Sequence, residues 1–167
     1  MSELVIRPAK TEDIPEIERI IGTARQFMRD HGNTVQWSGT GDASIEAKIP
    51  GDIERGVGYV VTAGDKLCGY FAFIIGADPT YSYIEGEWPD DEEYGTLHRV
   101  ASDGTQHGVT KAAVKFAESK ISNRRMDTYP DNATMKKIIA GNGFTYAGII
   151  YVEDGTPRVA YWKKIKH

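Results

Sequence analysis

The beginning of the chain carries an apolar pattern that changes from strand-like alternation to helical spacing. Residues 3–8 alternate in the way expected of a first strand. Thr11 is a favourable helix N-cap, and the acids Glu12 and Asp13 suit the positive end of a helix dipole. The apolar positions that share one face of the following helix are Ile14, Ile17, Ile20, Ile21, Ala24 and Phe27. This pattern predicts a first helix that ends near Asp30-His31-Gly32.

The next segment lacks such a pattern at first and then becomes helical again. Residues 33–42 are predicted to form a loop. A second helix is predicted from Asp42 to about Arg55, with an interruption at Pro50-Gly51.

Short apolar runs then predict a hairpin. Strands are expected at 58–63 and 67–75, joined by a tight turn that contains Gly64. A long connection follows at 76–94, and it is rich in aromatic and acidic residues.

The second half of the chain alternates between strand and helix patterns. The predicted elements are a strand at 96–101, a helix over about 111–120, a strand at 125–128, a helix after Asn132 that ends before Gly143, a strand opened by Phe144, and a closing hairpin that turns at Glu153-Asp154-Gly155. Gly143 is suited to a left-handed helix C-cap. Antiparallel strands followed by this alternation predict a mixed α/β sheet, and no linker or repeat divides residues 1–167, so a single domain is expected.

Composition narrows the class of protein. The chain has 167 residues, 40% of them hydrophobic, which suits a globular domain with a sizeable core. No apolar run approaches a membrane span and no signal segment is evident, and Cys68 is the only cysteine. We therefore expect a cytoplasmic protein that does not bind a membrane. The net charge of −4 argues against general nucleic-acid binding.

The segment at 105–110 follows the predicted strand at 96–101, and Asn132 leads a helix that closes with Gly143-Phe144. These two segments resemble motifs of the acetyl-CoA-dependent N-acetyltransferases of the GNAT superfamily, of the bacterial type. Thr105-Gln106-His107-Gly108-Val109-Thr110 stands where the superfamily has Gln/Arg-x-x-Gly-x-Gly/Ala, with Gly108 matching and Thr105 and Thr110 departing. The Asn-led helix and its closing Gly-Phe follow the pattern of that superfamily. The resemblance implies a mostly antiparallel α/β sheet of about six to seven strands, with helices on both faces.

The resemblance also implies where acetyl-CoA would bind as a co-substrate. The backbone edge of Val100, Ala101 and Ser102 would receive the pantetheine amides. The pyrophosphate would be held by Thr105, Gln106, His107, Gly108, Val109 and Thr110, largely through backbone N–H groups. Asn132 would lie beside the pantetheine or acetyl end.

Acetyl transfer to an amine needs a base, and His98 is the strongest candidate. Its reference pKa of about 6.5 suits proton transfer near neutral pH, and some arylalkylamine acetyltransferases of the superfamily have a histidine at this position. The alternative is a structural histidine bonded to a neighbour. Ile139 stands where many members have a proton-donating tyrosine, so Tyr129 or water is expected to protonate the thiolate.

The acceptor amine belongs to a small molecule or a peptide, and five aromatic side chains are candidates for its pocket. They are Trp37, Tyr70, Phe73, Tyr81 and Tyr83. The acidic residues of 85–93 either attract an ammonium group or form a solvated loop. No pattern indicates a metal site, and a homodimer is a further expectation. The rival functions are a catalytically weak CoA-binding or acyl-CoA-binding protein of the same fold and a partner-binding domain without a nucleotide site.

Overall fold

The computed structural model describes residues 3–33, 36–38, 41, 44–153 and 155–165. The α-helices in these residues are α1 (Ile14–Asp30), α2 (Ile49–Glu54), α3 (Val109–Glu118) and α4 (Ala133–Gly141). The strands are β1 (Leu4–Pro8), β2 (Gly58–Ala63), β3 (Lys66–Ile75), β4 (Glu85–Gly86), β5 (Gly95–Ser102), β6 (Asn123–Thr128), β7 (Thr145–Tyr151) and β8 (Pro157–Lys164). None of the helices in this part of the chain has the length and apolar character needed to span a bilayer.

The chain divides into two compact units. Unit 1 contains residues 1–73 and 99–113, and unit 2 contains residues 74–98 and 114–167. The divisions fall within β3, β5 and α3, so each of these elements contributes residues to both units.

Unit 1 is built on three antiparallel strands, in the order β1-β2-β3. The predicted apolar face of α1 is confirmed at Ile17, Ile20 and Ile21, which have no exposed surface, but not at Phe27, which is 47% exposed. These isoleucines form one core cluster with buried side chains of α2, β2 and β3, among them Ile49 and Tyr70. Burial of these large side chains is the main favourable contribution to the stability of this unit.

The pairings described for unit 2 are both parallel and antiparallel. β5 runs parallel to β6, and the antiparallel pairs are β6–β8, β7–β8 and β4–β7. Its core includes Tyr81, Tyr94, Ile150 and Ala160.

The described pairings confirm the predicted mixed and mostly antiparallel strands. The described residues form eight strands rather than six to seven, because the connection at 76–94 contains the two-residue strand β4. There Glu85 pairs with Ile149 and Gly86 with Gly148. A strand of two residues has no alternation that a sequence pattern can reveal.

The start of α1 differs from the prediction. Thr11 opens a short 3₁₀ turn, Thr11–Asp13, and α1 begins at Ile14. Asp13 occupies the N-cap position, but its carboxylate accepts bonds from Arg7 at 2.8 and 2.9 Å and from the backbone N–H of Lys10 at 2.8 Å. Thr11 is therefore not the N-cap of this helix.

The second helix is shorter than predicted and is not interrupted at Pro50-Gly51. A 3₁₀ turn at Glu46–Lys48 runs directly into α2, with Pro50 in the first turn of α2. A proline is tolerated there because the N–H groups of a first turn have no partner within the helix. Asp42, the predicted start, and residues 34, 35, 39 and 40 of the predicted loop lie outside the described residues.

The predicted glycine turns are confirmed. Gly64 has a φ of 66° between β2 and β3, and Gly143 has a φ of 88° after α4. The closing hairpin is formed by β7 and β8. Asp154 of its predicted turn lies outside the described residues, while Gly155 has a φ of 81°.

Candidate active site

His98 contacts Asp78 within unit 2. The parallel ladder of β5 and β6 pairs Gly95 with Arg124 and Thr96 with Arg125, and His98 lies two residues beyond it on β5. Its Nε2 is 3.1 Å from Oδ2 of Asp78. The two side chains are 23% and 17% exposed, so the pair is sheltered but still reached by solvent.

Asp78 is held in its charged form. Its Oδ1 accepts bonds from the backbone N–H of Thr80 at 2.9 Å and from the Thr80 hydroxyl at 2.7 Å. Burial opposes the charge, but the hydrogen bonds from His98 and Thr80 outweigh it and lower the pKa of Asp78 to about 2. Asp78 is therefore an anion at neutral pH.

This anion determines which nitrogen of His98 is basic. A carboxylate only accepts hydrogen bonds, so the neutral ring must carry its proton on Nε2, and the lone pair then lies on Nδ1. Nδ1 has no hydrogen-bond partner among the described residues. A base oriented by a carboxylate is the arrangement that proton transfer at a reacting group requires.

Asp127 is a second carboxylate that interacts with His98, and no sequence pattern indicated it. It lies two residues after Arg125 on β6, so the parallel register places it on the same side of its strand as His98 is on β5. The Tyr81 hydroxyl donates to its Oδ2 at 2.6 Å. Burial raises the pKa of Asp127, and the charge of His98 and the bond from Tyr81 oppose that effect.

Aromatic side chains form a rigid frame around Tyr81. Tyr81 is only 2% exposed, and its ring packs 5.1 Å from that of Trp88 and 5.9 Å from that of Tyr94. The Arg125 guanidinium lies 4.0 Å from the Trp88 ring and 3.8 Å from the Tyr94 ring. Tyr81 was a predicted pocket wall; it is instead a buried support of the Asp127 carboxylate.

The acidic stretch 85–93 is partly neutralised by local partners. Lys164 Nζ lies 2.8 Å from Asp90 and 2.7 Å from Glu92. Glu85 accepts a bond from the Tyr151 hydroxyl at 2.7 Å. These contacts favour a structural, solvated loop over a surface that attracts an ammonium group.

Two further predicted site residues follow β6. Tyr129 packs its ring 3.7 Å from the Arg158 guanidinium, and its hydroxyl makes no hydrogen bond within the described part of the chain. Asn132 is the N-cap of α4, since its side-chain oxygen accepts the N–H of Met135 at 3.0 Å. Ile139 is fully buried, and its aliphatic side chain has no proton to donate.

The predicted phosphate loop, Thr105 to Thr110, lies in unit 1 and leads into α3. Gly108 has a φ of 84°, a conformation that side chains disfavour. In the described residues, the backbone N–H groups of positions 106–111 donate to no acceptor. Such N–H groups at a helix N-terminus are suited to bind a phosphate.

The beginning of this loop is engaged internally. Oδ1 of Asp103 accepts bonds from the Thr105 N–H at 3.0 Å and the Thr105 hydroxyl at 2.6 Å. The N–H and hydroxyl donors of Thr105 are therefore already used within the loop and are not available to a phosphate. The guanidinium of Arg19 lies 3.3 Å from Oδ2 of Asp103 and balances its charge.

The Ala101 backbone lies close to Gly69 of β3. A Cβ on Gly69 would lie 2.6 Å from Cγ1 of Val109 and 3.1 Å from the Ala101 carbonyl oxygen. Glycine at position 69 thus lets β3 approach both the predicted pantetheine edge and the start of α3.

The remaining predicted pocket residues do not share one environment. Tyr70 has no exposed surface and donates its hydroxyl bond to Asp52 at 2.7 Å, so it is a core residue and not a pocket wall. Phe73 is also buried, at 5% exposure. Trp37 packs against the unit 1 core, and Tyr83 is 62% exposed.

Metal-ligand clusters are absent from the described residues: no three His, Cys, Asp or Glu side chains are grouped to hold an ion. No protein-family model matches the chain, and no curated protein matches it.

Solved structures do match over nearly the whole chain. An acetyltransferase of the GNAT family from Streptococcus agalactiae is 29% identical with a TM-score of 0.89, and the match covers 98% of this chain and 96% of that one. The ribosomal-protein-S18-alanine N-acetyltransferase from Escherichia coli is 15% identical with a TM-score of 0.63, over 99% and 96%. The NatC complex bound to Gag peptide and CoA contains a chain 12% identical with a TM-score of 0.56, over 98% and 99%. The resemblance to the GNAT superfamily is confirmed.

Proposed function

We propose that this chain is a GNAT-type N-acetyltransferase that moves the acetyl group of acetyl-CoA directly to the primary amine of a small molecule or peptide. The observation that carries this proposal is the contact of 3.1 Å between His98 and Asp78. An amine is mostly an ammonium ion at neutral pH and cannot attack a carbonyl until it loses a proton. His98 supplies the base, and Asp78 fixes the orientation of its ring.

Asp127 gives the acceptor a binding group in this proposal. Its Oδ2 is occupied by Tyr81, while Oδ1 has no hydrogen-bond partner among the described residues. This oxygen receives the ammonium group of the acceptor through a charge-assisted hydrogen bond. The acceptor class is therefore a cationic amine.

The chemical step then follows from the two side chains. Nδ1 of His98 removes one proton from the ammonium, and the freed nitrogen lone pair attacks the thioester carbonyl carbon. The new C–N bond forms as the C–S bond breaks, the thiolate leaves with its electron pair, and the acylated nitrogen releases its second proton to water to give the neutral amide. Tyr129, with its unengaged hydroxyl, or water returns a proton to that thiolate, whose reference pKa of about 8.5 makes it an undemanding leaving group.

The loop at 105–110 is proposed to hold the pyrophosphate. The unengaged N–H groups of residues 106–111 support this role, and the CoA bound in the NatC complex supports a CoA site on this fold. Val100, Ala101 and Ser102 are proposed to receive the pantetheine amides. Asn132 is proposed to lie beside the pantetheine or acetyl end.

A second candidate function is CoA binding with little catalysis. The buried Ile139 favours it, because the superfamily's usual proton donor is missing there. The cap formed by Asn132 also occupies an oxygen that would otherwise face the ligand. We further propose a cytoplasmic location and no nucleic-acid partner, as the composition predicts, and a homodimer as the assembly.

Release of the free CoA thiol in the presence of a panel of amines tests the proposal, with His98→Ala and His31→Ala compared. His31 is a matched control, since it lies after α1 and its ring nitrogen bonds only to the Phe27 carbonyl oxygen among the described residues. We expect His98→Ala to lower kcat by about a hundredfold, as loss of a general base does, with unchanged acetyl-CoA affinity. Equal turnover in both variants would contradict the role of His98, and absence of turnover in the wild type with CoA binding retained would favour the second candidate.

A further inference from the structure

Arg99 has a backbone conformation that its residue type disfavours. Its φ is 53°, in the left-handed region, although it lies within strand β5. An L-residue with a side chain is strained there, while glycine is not. Such a conformation persists only where surrounding contacts impose it.

Asp52 supplies that contact from α2. The Arg99 Nε donates to Oδ2 of Asp52 at 3.0 Å, and Nη2 donates to Oδ1 at 2.6 Å. The Asp52 carboxylate has no exposed surface, and the Arg99 side chain is 14% exposed. A two-point bond of this kind fixes direction as well as distance.

Asp52 is itself held by its neighbours in unit 1. The buried Tyr70 hydroxyl donates to its Oδ2 at 2.7 Å, and Arg55 lies 3.1 Å from its Oδ1. Gly58 provides the space, because a Cβ there would lie 2.7 Å from the Tyr70 hydroxyl oxygen. The contacts that fix Arg99 therefore come from α2, β2 and β3.

The left-handed residue divides β5 into two parts. It follows His98 and precedes Val100, so it interrupts the alternation of side chains between the candidate base and the proposed pantetheine edge. We infer that Asp52 is a positioning residue, which holds Arg99 in the left-handed conformation and so sets the direction of the Val100–Ser102 backbone that receives acetyl-CoA. This inference rests on the proposed function.

The test compares Asp52→Asn, Arg99→Gly and the double variant. Asparagine keeps the shape of the aspartate and can still accept the Tyr70 bond, but it lacks the charge that holds the guanidinium. Glycine adopts a φ of 53° without that hold. We expect Asp52→Asn to weaken acetyl-CoA binding about tenfold, as loss of a charged hydrogen bond does. Arg99→Gly and the double variant should stay within about threefold of the wild type, since glycine needs no partner at positive φ.

Arg55→Gln is the matched control. Arg55 also contacts Asp52, but its side chain is 62% exposed and its backbone is helical. Its replacement should leave acetyl-CoA affinity unchanged. A double variant as weak as Asp52→Asn would overturn the inference, because the effect of Asp52 would then not pass through the Arg99 backbone.

Thermal unfolding separates this inference from the proposed function. The double variant should have a higher Tm than Asp52→Asn alone, because Arg99→Gly removes the residue that needs the bond to Asp52. This gain is expected whether or not acetyl-CoA binds. If the wild type binds no acetyl-CoA, the proposed function fails, and recovery of Tm still decides whether Asp52 holds Arg99. No recovery would overturn that relationship independently.

Discussion

Nε2 of His98 lies 3.1 Å from Oδ2 of Asp78, although 20 positions separate the two residues along the chain. The carboxylate fixes the ring and leaves Nδ1 as the basic nitrogen. Asp78 is in turn fixed by Thr80 at the start of a short 3₁₀ turn. The imidazole of His98 is therefore already oriented by the Asp78 carboxylate before a substrate binds.

Replacing Asp78 with Asn should change how the free energy of unfolding depends on pH in acidic solution. The unfolded carboxyl has a pKa of about 3.9, and the folded one has a pKa of about 2. The ionised Asp78 therefore stabilises the wild type above about pH 4, and this contribution is lost as the pH falls toward about 2. Urea unfolding at a series of acidic pH values should show a loss of up to about 2 kcal/mol that Asp78→Asn lacks.

Asp131→Asn serves as the control for that series, because Asp131 is exposed. Its stability should follow the wild-type pH dependence. Parallel curves for the wild type and Asp78→Asn would contradict the account of the Asp78 charge.

Replacing Asp127 with Asn should weaken acceptor binding. The neutral amide loses the charge-assisted bond to the ammonium, so KM for the amine should rise about tenfold with a smaller change in kcat. Steady-state kinetics with saturating acetyl-CoA measures this. Tyr81→Phe is the matched control, because it removes the hydrogen bond to Oδ2 of Asp127 but keeps the carboxylate. An unchanged KM for the amine in Asp127→Asn would contradict the role of Asp127 in binding the acceptor.

Replacing Gly108 with Glu should weaken acetyl-CoA binding sharply. The new side chain brings bulk and negative charge to the loop proposed for the pyrophosphate, and we expect a loss of affinity of about a hundredfold. Gly108→Ala isolates backbone strain, since a Cβ at this position meets no atom within 4 Å but the φ remains 84°. If a folded Gly108→Glu variant bound as well as Gly108→Ala, the loop assignment would be wrong.

Local signals in the sequence predicted much of the fold. The spacing of the isoleucines predicted the buried face of α1, and Gly143 predicted the end of α4. Both features are determined by residues that are close together in the sequence. Asn132 was placed at the start of α4 for the same reason. Thr11 was wrongly predicted as the N-cap of α1, because the helix begins only at Ile14. Pro50 was wrongly predicted to interrupt the second helix, because it lies in the first turn of α2.

The candidate site depended more on distant residues. Tyr81 and Asp127 are 46 positions apart and Arg99 and Asp52 are 47 positions apart, so no motif connects them. His98 was predicted by a family resemblance, while Asp78 and Asp127 had no local signal. Arg99 had none either, since arginine does not mark a left-handed turn as glycine does.

Calorimetric titration of the purified protein with acetyl-CoA, with free adenosine as the control, tests the central claim most directly. We predict micromolar binding of acetyl-CoA and no binding of adenosine, because the loop N–H groups and the β5 edge would contact the pyrophosphate and pantetheine. Absence of acetyl-CoA binding at high ligand concentration would contradict the account and leave a domain that has the fold without its co-substrate.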